Sequence, residues 1–213
     1  MHFIPEALED YVAQHSAAEP ELLQQLNRET HQKVLQPRML SGAYQGRLLA
    51  LISKLLQPKA ILEVGTFTGY ATLCLAEGLA TNGHIDTIDH NEELAILQNK
   101  YFNLSPWAEQ IQSFLGDAAD IIPALSHKYD LVFIDADKEN YALYADLIIP
   151  KMNQGGLILS DNVLWSGKVI EAVNDKDVST KALVDFNKKM NEDPRLETVL
   201  LPIRDGLTLS RVR

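Results

Sequence analysis

Two segments of the chain carry oxygen donors at the ends of apolar runs. One is Leu131-Val132-Phe133-Ile134-Asp135-Ala136-Asp137-Lys138, the other Leu157-Ile158-Leu159-Ser160-Asp161-Asn162. Each reads as a buried strand that breaks off into carboxylate or carboxamide groups. The stretch between them is long enough for one helical crossover, and 140–150 carries a helical pattern. Parallel strands joined by one helix sit side by side, roughly 5 Å apart. Their carboxyl ends then bring Asp135, Asp161 and Asn162 to the sheet edge where open α/β folds bind ligands. Three hard oxygen donors there suit a divalent cation of the magnesium or calcium kind.

A second constellation lies earlier. Ile61-Leu62-Glu63-Val64-Gly65-Thr66-Phe67-Thr68-Gly69-Tyr70 reads as a strand, a glycine-bearing turn and a helix start. Gly65 and Gly69 allow a tight bend and close approach of a ligand. The dinucleotide fingerprint requires glycine at positions 67 and 70; phenylalanine and tyrosine stand there, which argues against a pyrophosphate. Glu63 would repel a phosphate, whereas a sulfonium cofactor with its ammonium group suits an acidic rim. Asp89, at the end of the next strand, is placed for ribose hydroxyls or for capping the helix that follows. Asp117, in Gly116-Asp117-Ala118, reads either as an adenine contact or as a helix N-cap.

The elements that must position these groups follow from periodicity and breakers. Helices are expected over 5–16, 19–35 and 44–56, with Pro37 ending the second. Strands are expected at 60–64, 84–88, 111–115, 129–134 and 156–160. Helices follow Gly69 to about 79 and span 91–103, 118–125, 140–150 and about 180–191. The strands 196–202 and 207–212 flank Arg204-Asp205-Gly206, a hairpin turn. The expected fold is α/β: a Rossmann-like, seven-stranded, mostly parallel sheet with an antiparallel C-terminal hairpin strand and helices on both faces. Residues 1–213 read as a single domain, with 1–56 a helical cap on the core 57–213.

Composition sets outer bounds. A 46% hydrophobic and 23% charged chain of 213 residues is ordinary for a globular domain. The net charge of −10 argues against a nonspecific grip on nucleic acid. One cysteine, Cys74, forms no internal disulfide and fits a reducing compartment, as a small buried hydrophobe. No apolar run approaches the ~20 residues of a membrane span, and Met1 to Glu6 lacks a signal-peptide pattern. A cytoplasmic location is the expectation. None of the six histidines stands in a metal-ligand spacing such as HxxxH, and none is assigned a role.

From Met39 to the C-terminus, about four-fifths of the chain, the sequence resembles the class I S-adenosylmethionine-dependent O-methyltransferases. Within them it is similar to the metal-dependent caffeoyl-CoA and catechol O-methyltransferase-like family. The resemblance rests on 63–70, on Phe133-Ile134-Asp135-Ala136-Asp137-Lys138-Glu139-Asn140-Tyr141, on Ser160-Asp161-Asn162-Val163-Leu164-Trp165-Ser166-Gly167 and on 201–207. It implies that Asp135, Asp161 and Asn162 hold the metal. It implies cofactor contacts at Ser41, Glu63, Gly65, Thr66, Ala71 and Asp89, with Ala118 near the adenine. Ala71 replaces a frequent serine, which removes a hydrogen bond. Lys138 falls where catechol enzymes carry a proposed general base; a plain solvated lysine is the rival reading. Asp135 is counted with it as catalytic. Trp165, with Ser166 beside it, could form an acceptor wall or simply pack in its loop. Tyr141 and Tyr144 are read as packing residues.

The activity so implied is methyl transfer from S-adenosylmethionine to a hydroxyl of a catechol-like or phenolic small molecule, in a homodimer. A transfer-RNA hydroxyuridine O-methyltransferase is the alternative, with Lys181, Lys188, Lys189, Arg195, Arg204, Arg211 and Arg213 as its modest basic cluster. A noncatalytic cofactor-binding protein is a further rival, opposed by the intact metal set. Arg204 departs from the glycine usual in relatives. The polar segment 168–180 occupies the substrate-lining loop of the family.

Overall fold

The computed structural model describes residues 5–172 and 176–213. Residues 1–4, part of the stretch read above for a leader, and 173–175 of the polar segment lie outside the described residues. Three helices lead, α1 (Glu6–Gln14), α2 (Glu21–Lys33) and α3 (Gly42–Leu56). Alternating elements follow: β1 (Ala60–Val64), α4 (Tyr70–Ala76), β2 (His84–Asp89), α5 (Ala95–Leu104), β3 (Ile111–Leu115) and α6 (Ala118–Ala124). The chain continues through β4 (Tyr129–Ile134), α7 (Tyr141–Ile148), β5 (Met152–Asp161), α8 (Val178–Glu192), β6 (Leu196–Leu201) and β7 (Leu207–Val212).

The seven strands form one sheet in the order β3-β2-β1-β4-β5-β7-β6. All pairings are parallel except those of β7, which runs antiparallel to β5 and β6. The order reverses between β1 and β4, so the switch point where α/β sheets hold ligands lies between Gly65 and Asp135.

Alternation along the strands assigns the two faces. Ala60, Leu62 and Val64 join Val132, Ile134, Tyr141, Ile148, Leu183 and Phe186 in one core. Ile61 points the other way, into a core with Leu23, Leu26, Leu49, Leu73 and Phe102. The leading helices therefore share a core with the sheet. Gly46 permits a close contact: a Cβ there would lie 2.7 Å from Tyr70 and 2.9 Å from the sulfur of Cys74. Cys74 is fully buried and free, and burial pushes its thiol up to about 12.

Element ends differ from the sequence expectation where local chemistry competes. The helix after Gly69 stops at Ala76 instead of near 79, and Gly78 presses so tightly on α3 that a Cβ would lie 2.1 Å from the Ser53 backbone. The helix expected from 91 opens instead with a 3-10 turn capped by the Asn91 side chain. β5 starts four residues earlier than expected, at Met152, and passes through Gly155 at φ +80. Among the described residues, no helix is long and apolar enough to cross a membrane.

Candidate functional site

β4 and β5 lie side by side in parallel, with Ile134 opposite Ser160, so Asp135 and Asp161 leave the sheet at one edge. The Asp135 amide donates to the Val64 carbonyl (2.8 Å), and the Gly65 amide donates to the Ile88 carbonyl (2.9 Å). Both contacts extend the strand ladder into the loops. Gly65 adopts φ +100, and a Cβ there would lie 2.0 Å from the Asp135 carbonyl oxygen. Only glycine lets the turn after β1 close against the loop after β4.

The acidic group is tied into a network. Lys138 Nζ donates to Asp135 Oδ1 (3.0 Å) and to the Tyr141 hydroxyl (2.6 Å). That hydroxyl donates to the Asp161 carbonyl (2.9 Å). Gln45 Nε2 donates to Asp161 Oδ2 (2.6 Å), and the Asn162 amide donates to Asp161 Oδ1 (2.8 Å). Arg204 completes the frame, donating to Gln45 Oε1 (2.9 Å) and to the Ser41 carbonyl. Asn162 is held in the left-handed region at φ 58. Burial pushes the Asp161 carboxyl up to about 6, and the charge of Asp135 adds to that push. A buried and a partly buried carboxylate that repel one another, followed directly in the chain by Asn162, are a donor set that fits a hard divalent cation.

The glycine turn forms the other half. A narrow crevice is lined by Ser41, Gly65, Thr66, Phe67, Ala71 and Asp135, among others. Asp89 Oδ2 accepts the Phe67 amide (2.7 Å), and Oδ1 accepts the Asn91 amide (2.8 Å). Asn91, not Asp89, caps the following helical turn. Each Asp89 oxygen keeps acceptor capacity, as a diol ligand requires. Asp117 is the N-cap of α6, accepting the Ala119 amide (2.8 Å), and Ala118 follows it, buried. The Gly116 amide donates to the Asp89 carbonyl (2.9 Å), which places that helix start beside Asp89.

Glu63 lies beneath the turn with no exposure. Its Oε2 accepts hydrogen bonds from Thr72 and from Thr87 (2.5 Å), while Oε1 has no partner. Burial raises its carboxyl to about 8, against the pull of the two hydroxyls; the charges of Asp135 and Asp89 add to the rise. Thr66 Oγ1 pairs with Thr87 Oγ1 at 2.5 Å, joining the turn to the same buried network.

Just past β5, Trp165 (φ 49) and Ser166 (φ 56) lie in a left-handed bend. Trp165 is partly buried against the core that contains Val163 and Phe186. The Ser166 amide donates to Asp205 Oδ1 (2.5 Å), and the Leu164 amide donates to the Asp205 carbonyl (2.9 Å). The turn between β6 and β7 thus grips both sides of the site, through Arg204 toward α3 and through Asp205 toward the Trp165 bend.

Three members of this network were not singled out for the site from sequence. Tyr141 packs, as expected, 5.2 Å from Phe186, but its hydroxyl also joins Lys138 to β5. Gln45 was one polar residue on an otherwise amphipathic helix. Arg204 stood out only as a departure, and its partners lie over 150 positions away in the chain. Part of the basic cluster weighed for RNA is paired within the chain. Lys189 pairs with Asp146, Arg195 with Asp193, and Arg213 Nε donates to the Leu196 carbonyl.

A family model described as O-methyltransferase matches residues 13–213. The chain is 33% identical over 219 residues to caffeoyl-CoA O-methyltransferase 5 of Nicotiana tabacum, spanning 97% of this chain and 91% of that one. It is similar to a methyltransferase of Podospora anserina solved with SAH bound, with TM-score 0.88, 27% identity and coverage of 99% and 97%. It is also similar to the O-methyltransferase of Bacillus cereus in complex with SAH, with TM-score 0.90, 25% identity and coverage of 97% of each chain.

Proposed function

The chain belongs to the O-methyltransferase family and is an S-adenosylmethionine-dependent enzyme, and on that premise we propose that it methylates one hydroxyl of a vicinal aromatic diol, of the catechol or caffeoyl type, with a divalent cation bound at Asp135, Asp161 and Asn162. One observation carries the reading. Asp135 lines the crevice beside Gly65 and Ser41 and also faces the acidic network of β5, so the two half-sites meet at one residue.

S-adenosylmethionine supplies an electrophilic methyl carbon on a positively charged sulfur and departs as S-adenosylhomocysteine. A magnesium or calcium ion held by Asp135, Asp161 and Asn162 would supply positive charge that favours loss of a hydroxyl proton. The chain does the rest by alignment. Ser41, Gly65, Thr66 and Ala71 would hold the methionine part of the cofactor, Asp89 the ribose and Ala118 the adenine. Glu63, buried beneath the turn and expected from sequence as an acidic rim, holds its proton near neutral pH and would shape the turn through Thr72, Thr87 and Thr66 instead of attracting the cofactor by charge. Lys138 Nζ would take the hydroxyl proton, steadied by Tyr141. Trp165 and Ser166 would flank the acceptor ring.

The same reading takes the protein as a single unit, working in the cytoplasm as a homodimer. A lone buried Cys74 supports the reducing compartment. Exposed Tyr44, Leu51 and Leu55 on α3 support a subunit contact. The internal pairing of Lys189, Arg195 and Arg213 and the net charge of −10 count against transfer RNA as acceptor.

The test is labelled methyl transfer to catechol, caffeoyl-CoA and transfer RNA, with chelator and with magnesium restored. Transfer to the diols is expected to stop with chelator, return with magnesium and fall at least about 100-fold in Asp161→Ala. Undiminished turnover under chelator and in Asp161→Ala would end the metal-assisted reading.

A further inference from the structure

At the opposite, amino-terminal end of the strands lies a second group of ligating side chains. His84 and Asp86 stand two apart on β2, so both project from one face of the sheet. His127, from the loop before β4, comes to the same place. His84 Nε2 is 3.0 Å from His127 Nδ1, His127 Nδ1 is 3.4 Å from Asp86 Oδ2, and His84 Nε2 is 3.8 Å from the same oxygen. The circumradius of that triangle is about 2.0 Å, the bond length zinc makes to imidazole nitrogen and carboxylate oxygen.

The surroundings also favour an ion. Asp86 is 1% exposed, and its Oδ1 is buried with no hydrogen-bond partner. No lysine or arginine is paired with it among the described residues. Tyr129 donates its hydroxyl to Oδ2 at 2.7 Å, fixing the carboxylate as an outer partner fixes a metal ligand. Asp130, the other acid near His84, is already committed to the Lys59 and Ala60 amides and to Asn153. Burial lowers the His84 pKa, which favours the neutral ring a metal needs. His84 and His127 are 31% and 50% exposed, so an ion can enter from solvent and keep an open position.

We propose that His84, Asp86 and His127 form a binding site for a borderline divalent transition-metal ion of the zinc kind, at the end of the sheet opposite the methyl-transfer site. Two imidazoles and one carboxylate select zinc over magnesium or calcium, which take oxygen donors. The site is distinct in chemistry and place from the oxygen set of Asp135, Asp161 and Asn162. A histidine-aspartate pair with no ion is the competing account, and it predicts no dependence on zinc.

The experiment titrates the full, metal-stripped chain with zinc against a chromophoric chelator, in excess magnesium to occupy the oxygen set. Cobalt(II) absorption reports the ligand field in parallel. One zinc per chain is expected in the unmodified protein. His84→Ala and His127→Ala are each expected to weaken it at least about tenfold, the least that even an outer partner of a metal costs. Both should also abolish the cobalt bands. His127 is in an exposed loop, so its variant keeps the fold, which circular dichroism checks. Zinc affinity within about twofold of the unmodified protein in both histidine variants, or cobalt bands that survive both, would overturn the site.

Discussion

Lys138 has two neighbours that define what it can do. Its Nζ touches Asp135 Oδ1 at 3.0 Å and the Tyr141 hydroxyl at 2.6 Å. Base work requires a nitrogen that can give up its proton; steadying Asp135 requires only charge. Arginine keeps the charge and never deprotonates in a protein. On the proposed mechanism, Lys138→Arg and Lys138→Met both lower kcat by about 10²- to 10⁴-fold, the usual worth of a general base. Retained kcat in Lys138→Arg, with loss only in Lys138→Met, would reduce Lys138 to a positioning residue. At this scale the sequence was informative for groups at strand ends and uninformative for their supports. Asp135, Asp161 and Asn162 follow from where apolar runs stop. Gln45 reaches Asp161 across 116 positions, a contact with no local period to betray it.

At the scale of elements, the strands were legible because β-branched and aliphatic runs of five or six residues have few competing states. The start of β5 was not, because Asn153-Gln154-Gly155-Gly156 reads as a turn. It is instead an irregular strand whose bulged pairing returns to register at Leu131 and Leu157. The glycine turn after β1 yields a comparison between two glycines with positive φ. Gly42 has φ +76 and nothing within 4 Å of a built Cβ, whereas Gly65 has φ +100 and the Asp135 backbone at 2.0 Å. Gly42→Ala should cost about 1–2 kcal/mol, the left-handed penalty alone. Gly65→Ala should cost clearly more and also weaken S-adenosylhomocysteine binding, because two backbones must separate. Denaturant midpoints and calorimetry check both, and equal losses at the two positions would show that the β1–β4 contact is loose.

Across the whole molecule, one partly buried and one fully buried carboxyl of opposite character shape how stability responds to pH. Glu77 resists the upward push of burial: hydrogen bonds from Arg47 and Lys54 hold it below its ordinary value. Its stabilisation is present above the unfolded value near 4.5 and is lost as pH falls through the lower folded value. Glu63 acts in the reverse sense. Its carboxyl is raised from 4.5 to about 8 by burial, with the hydroxyls of Thr72 and Thr87 opposing and the charges of Asp135 and Asp89 adding. Between those values the folded chain holds a proton that the unfolded chain has released, so stability falls as pH rises through this range. The carboxyl at that depth joins Thr66, Thr72 and Thr87 into one network under the glycine turn. Glu63→Gln keeps the shape and removes the titration. Urea midpoints measured from pH 6 to pH 8 should decline steadily in the unmodified protein and much less in Glu63→Gln, whereas below pH 6 the raised Asp161 carboxyl adds a decline common to both. A variant that keeps the full decline would place its origin elsewhere in the buried carboxyl set.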